Sequence, residues 1–156
     1  MTTRKLARIA GPTLAAVLAL AAFAPRGTDR GTDRPVRPPT VHTVRMLVDG
    51  TTSKFDPATL TIRPGDQVRF VNVSGGPHNV SFDAATLPAG MAHLLETAMA
   101  DQIQPLWGKL VAGVNESYTI SFAGAKPGRY PFFCVPHMYD QHGNATVGMK
   151  GVIIVQ

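Results

Sequence analysis

Residues 41–156 are predicted to fold as an all-β, Greek-key sandwich with one short inserted helix, and three observations lead to that expectation. Short apolar runs recur between Pro/Gly turns along the chain. The clearest of them, Glu116 to Phe122, places Tyr118, Ile120 and Phe122 on one face and Ser117, Thr119 and Ser121 on the other, the period-2 pattern of a half-buried strand. One stretch alone, Met91 to Gln104, repeats Met91, Leu94, Leu95, Ala98, Met99 and Gln102 or Ile103 at helical spacing.

The chain opens with a different kind of segment. Arg4, Lys5 and Arg8 precede an apolar, Ala-rich run from Ile9 to Ala24, with small-residue cleavage sites at Ala19-Leu20-Ala21 or Ala22-Phe23-Ala24. Residues 1–24 therefore read as a signal peptide for export to the periplasm or the extracellular space. Gly11-Pro12 and Pro25 leave open an uncleaved anchor, a membrane tether through residues 9–24. Residues 25–40 repeat Gly-Thr-Asp-Arg at 27–30 and 31–34, then add Pro35, Pro38 and Pro39. With so few apolar side chains this Pro/Arg-rich stretch cannot bury a core and is expected to be a disordered tether.

Charge divides along the same boundary. Net charge is +5, but residues 1–40 hold seven Lys/Arg against two Asp, whereas residues 41–156 hold eight basic and eight acidic side chains. The folded part is near neutral, so the basic balance gives no support to nucleic-acid binding. A monomer is expected.

Within the domain, Val44 to Val48 and Ala58 to Ile62 read as strands. The turn Arg63-Pro64-Gly65-Asp66 leads into a third, Gln67 to Val73. His78 to Phe82 follows the turn Gly75-Gly76-Pro77. After the helix and the Glu116 strand, Lys126-Pro127-Gly128 turns the chain into Arg129 to Cys134, and Val152 to Val155 forms a buried last strand. Asp49, Asp56, Asp66 and Glu116 read as turn or surface positions. His42 reads as solvated, His93 as a surface residue, and Met91, Met99 and the aromatic residues, Trp107 included, as packing.

Cys134 is the sole cysteine, an unusual feature in an exported chain, where thiols tend to pair. A buried apolar cysteine is one explanation. Its neighbours suggest another. His137 lies three residues on, across Val135-Pro136. If strands 78–82 and 129–134 lie side by side, His78 reaches the same end of the sandwich. One thiolate, two imidazoles and a distant thioether make the donor set of a blue-copper electron-transfer centre. Zinc could take the same ligands, although structural zinc sites usually bring more cysteines. No Asp or Asn is placed by sequence to orient a histidine for a cysteine nucleophile, so a hydrolase is disfavoured.

Pro77-His78-Asn79-Val80, Tyr130 to His137 and Gly148-Met149-Lys150-Gly151-Val152 together resemble the plastocyanin/pseudoazurin branch of the cupredoxins, over about the whole of residues 42–156. The resemblance implies a single type 1 copper ion held by His78, Cys134, His137 and Met149. It implies one-electron transfer between transient protein partners rather than catalysis, and a role for Asn79 in tying the His78 loop to the Cys134 loop. In one respect the chain departs from the family. Plastocyanin-like sequences place four residues between the last histidine and the methionine, whereas eleven separate His137 from Met149, and His142 stands where counting expects the axial ligand. Lengthening that loop costs only about 0.8 kcal/mol in closure entropy, too little to exclude Met149. Met149 is the expected axial ligand. The alternatives are a red-copper site resembling nitrosocyanin with His142 bound, or a copper storage or delivery protein.

Overall fold

The computed structural model describes residues 37–138 and 148–156. The expected signal peptide, the expected tether up to residue 36, and His142 lie outside the described residues. No helix among the described residues is long and apolar enough to cross a membrane.

Among the described residues, eight strands form two four-stranded sheets, in keeping with the predicted sandwich. They are β1 (Val41–Asp49), β2 (Thr52–Asp56), β3 (Thr59–Ile62), β4 (Gln67–Asn72), β5 (Ser81–Phe82), β6 (Ser117–Ser121), β7 (Gly128–Phe133) and β8 (Lys150–Val155). One sheet has the order β2-β1-β4-β6 and the other β3-β8-β7-β5. Pairing is antiparallel except for β1 with β4 and β3 with β8, which run parallel. Those two parallel pairs join segments that no short hairpin could connect.

Alternation along the strands builds the core. Val44 and Met46 of β1, Val68 and Phe70 of β4, and Tyr118 and Ile120 of β6 point inward from one sheet; Tyr130 and Phe132 of β7 and Ile153 and Val155 of β8 meet them from the other. Phe132 is the centre of an aromatic cluster, its ring 4.7 Å from Phe55 and 5.3 Å from Phe70, both in near-perpendicular edge contact. Such edge-on pairs add attraction between ring quadrupoles to the burial of apolar area.

Three elements differ from expectation. A second strand, Thr52–Asp56, lies between the first two expected ones; it buries only Phe55 fully and so has little periodicity to read. The helix α1 covers Met91–Ala98, about half of the predicted stretch. It stops because Gln102 folds back, its side-chain amide donating to the carbonyls of Glu96 (2.7 Å) and Met99 (3.0 Å), while Asp101 adopts a left-handed backbone with φ of 49°. The strand expected from His78 shortens to Ser81–Phe82, since His78 pairs instead as an isolated bridge with Val111.

Candidate metal centre

His78, Cys134 and His137 come from two loops that meet at one end of the sandwich. Strand β5 pairs with β7 through Ser81 to Phe133 and Phe82 to Phe132, so the side-by-side placement needed to bring His78 to Cys134 is present. Continuing that register by one step sets Val80 opposite Cys134, and the next brings Asn79 beside Val135, whose N–H donates to Asn79 Oδ1. The next residues, Val135–His137, form a short 3-10 turn that carries the His137 ring back over the sulfur. On the other side, β7 pairs with β8 through Phe133 to Lys150, and the Cys134 N–H donates to the Met149 carbonyl at 2.9 Å. Met149 therefore stands opposite Cys134, and it is 1% exposed. Gly148 makes this approach possible: its φ is 71°, and a Cβ there would lie 2.8 Å from the Met138 sulfur.

The donor atoms of His78, Cys134 and His137 lie within 4.8 Å of one another. Cys134 Sγ is 3.9 Å from His78 Nδ1, and His137 Nε2 is 3.1 Å from the same nitrogen. A trigonal centre with bonds of about 2.0 Å to nitrogen and about 2.3 Å to sulfur separates its donors by about 3.5–4 Å, so one metal ion fits the triangle with small adjustment. His78 and Cys134 are fully buried and His137 half-buried, which leaves one imidazole edge toward solvent.

Protonation also suits a metal. Burial lowers the His78 pKa, partly offset by its bond to the Ser74 carbonyl, and burial with the neighbouring His78 lowers that of His137. Both rings are held toward the neutral form that a metal requires. Burial pushes the Cys134 thiol up to about 11, against the pull of backbone N–H groups of Asn79 and His137. A thiol so buried is no free nucleophile; a cation at the centre of the triangle is the partner that would make the thiolate favourable. The His78 tautomer is fixed as well. Nε2 lies 2.9 Å from the Ser74 carbonyl, an acceptor only, so Nε2 carries the proton and Nδ1 presents its lone pair to the site.

Asn79 ties the loops together. Its backbone N–H donates to Cys134 Sγ at 3.3 Å, its Oδ1 accepts from the Val135 N–H at 2.8 Å, and its Nδ2 donates to the Gly108 carbonyl at 3.2 Å. His93 is exposed on α1, as expected. Asp66 is not a surface residue: it is 3% exposed and accepts from Arg37, Thr40, His42 and Arg63, so the His42 ring is held on a buried carboxylate rather than solvated. The turn signal at 63–66 says nothing of tertiary partners, and neither residue could be placed from sequence.

A family described as copper binding proteins of the plastocyanin/azurin family matches residues 42–156. A chloroplastic plastocyanin of Tetradesmus obliquus is 36% identical over 72% of this chain, and a plastocyanin of Nostoc punctiforme is 35% identical over 72%. The match spans 66% of the first of these relatives and 72% of the second. Among solved structures, oxidised plastocyanin from Dryopteris crassirhizoma superposes with a TM-score of 0.54 at 28% identity, covering 74% of this chain and 100% of that one.

Proposed function

Because the chain belongs to the plastocyanin/azurin family of copper-binding proteins, we propose that it carries single electrons on one type 1 copper ion that His78, Cys134, His137 and Met149 would hold. Bound copper supplies the Cu(I)/Cu(II) couple. The convergence of one buried sulfur with two neutral imidazoles is the observation that carries this reading.

The protein's own part is to hold the donors still. Cys134 and Met149 are fixed to each other through the β7·β8 ladder, His78 by the Ser74 carbonyl, and the two loops by Asn79. A donor set that barely moves lets the charge change with little rearrangement. The core behind it excludes water, and the half-buried His137 is the exit for the electron. Around that end Pro77 and Pro136 are exposed, together with Val73, Leu110 and Val114 at 39%, 46% and 68%. This apolar rim suits brief docking of redox partners, which needs little area and no tight fit. Phe133 and Val135 flank Cys134 in the chain, so neither sequence neighbour is a histidine that could lead to a second centre, which favours a carrier over an enzyme. Export through residues 1–24, a tether from 25 to 40 whose Arg37 and Thr40 are held on Asp66, the domain from 41 to 156 and action outside the cytoplasm belong to the same proposal, supported by the leader pattern, as does a monomeric state.

Copper(II) added to the purified protein should give an intense blue colour and narrow copper hyperfine splitting in electron paramagnetic resonance. Substituting Met149 should change that spectrum and substituting His142 should not. A red, tetragonal spectrum sensitive to His142 would replace Met149 with His142; copper that passes at once to a mild chelator would point to delivery instead.

A further inference from the structure

Ser74 sits two residues beyond the end of β4, in the loop that leads to His78. Strand β1 outlasts β4: their last pair is Met46 with Asn72, so the Val48 N–H, which has the same orientation as the Met46 carbonyl, points to where β4 has already ended. The Ser74 hydroxyl takes that N–H at 3.1 Å. The Val73 N–H donates to the Met46 carbonyl at 2.8 Å, and the Ser74 N–H lies 3.5 Å from the same oxygen. The peptide around Ser74 is thus fastened to β1 by side chain and backbone, and its carbonyl is the one that receives the His78 ring proton.

The loop is also pressed against its neighbours. Gly75 has φ of 72°, and a Cβ there would run into Val48 Cγ2; a Cβ on Gly76 would lie 2.7 Å from Asn72 Nδ2. Asn72 in turn holds the Val111 and Ala112 carbonyls, the segment that bridges to His78. Glycine at both positions lets the loop lie flat enough for the hydroxyl to reach Val48.

We propose that Ser74 is a positioning residue of the metal centre: its hydroxyl, anchored on the Val48 N–H, aims the Ser74 carbonyl at His78 Nε2 and thereby keeps Nδ1 directed at Cys134. The assignment rests on the copper reading above, but the clamp exists in the copper-free protein and is tested there. Without the hydroxyl the Val48 N–H loses its partner and the carbonyl is held only from its backbone side.

The experiment measures solvent exchange of the His78 Nε2 proton by nitrogen-15 magnetic resonance in the copper-free full chain, with the Ile153 amide of β8 as a reference for global opening. Ser74→Ala should speed exchange at His78 by about two- to tenfold, the size that loss of one net hydrogen bond allows, and leave Ile153 unchanged. Ser74→Thr, which keeps the hydroxyl, should restore the slow rate. In the copper-loaded protein, Ser74→Ala should also shift the reduction potential, and Ser74→Thr should return it. Unchanged exchange in Ser74→Ala, equal acceleration at Ile153, or no rescue by Thr overturns the proposal. Failure of the wild-type protein to turn blue with copper overturns the metal assignment instead, so the two failures are told apart.

Discussion

Asn79 has 1% of its surface exposed and uses both ends of its amide, on Val135 and on Gly108. Truncation to Ala removes the partner of the part-buried Val135 N–H and of the buried Gly108 carbonyl in two different loops, a loss of about 2–4 kcal/mol in total. Asn79→Ala in the copper-free protein should lower the urea midpoint accordingly, with the slope unchanged; a midpoint equal to wild type would show that the amide does not join the loops. His78, Cys134 and His137 were readable from sequence because a sulfur and two imidazoles are the donors that copper takes, whereas Asn79 was indicated only by the resemblance to the cupredoxins. Ser74 and Asp66 were not, since a hydroxyl or carboxylate near a Gly-rich turn reads the same whether it faces solvent or a strand N–H.

The segment that opens β1 is organised by the carboxylate preceding β4. Asp66 Oδ1 accepts from Arg37 and from the Thr40 N–H, both at 2.9 Å, while Oδ2 meets His42 at 3.0 Å and the Arg63 N–H at 3.1 Å. Burial alone would raise the Asp66 pKa, but the His42 ring, the two backbone donors and the Arg37 charge outweigh it and hold the carboxyl far below the usual carboxylate range. A carboxylate depressed on folding stabilises the native state above its unfolded pKa of about 3.9, and that stabilisation is lost as pH falls below this value toward the folded one. Denaturant unfolding at pH 5 and at pH 2.5 should therefore show a larger loss of stability in the wild type than in Asp66→Asn. Equal losses would contradict the assignment. At this scale legibility followed burial: β6 was plain because Tyr118, Ile120 and Phe122 alternate into the core, whereas β2, with Phe55 alone fully buried, offered no period. Helix α1 was overextended because Met99 and Ile103 continue its spacing, although Gln102 captures the carbonyls that would have carried the helix on.

In the whole molecule, the two sheets divide the labour. Sheet β2-β1-β4-β6 sends the His78 loop from the end of β4, and sheet β3-β8-β7-β5 supplies Cys134 after β7 and Met149 before β8. The aromatic cluster of Phe55, Phe70 and Phe132 joins the sheets, so the donors inherit the rigidity of the core. Asp66 lies at the other end of β4, about 20 Å of strand from the donors, and the chain enters the sandwich there, away from the apolar rim around His137. Sandwich architecture and the convergence of residues 78 and 134 were legible because three short motifs had to meet, while counting onward from His137 could not by itself decide between His142 and Met149. X-ray absorption of the copper-loaded protein tests the central claim most directly. One short copper–sulfur bond and two copper–nitrogen bonds of about 2.0 Å are expected, with the short sulfur bond lost in Cys134→Ser; a shell of nitrogen and oxygen alone in the wild type would refute a site built on Cys134.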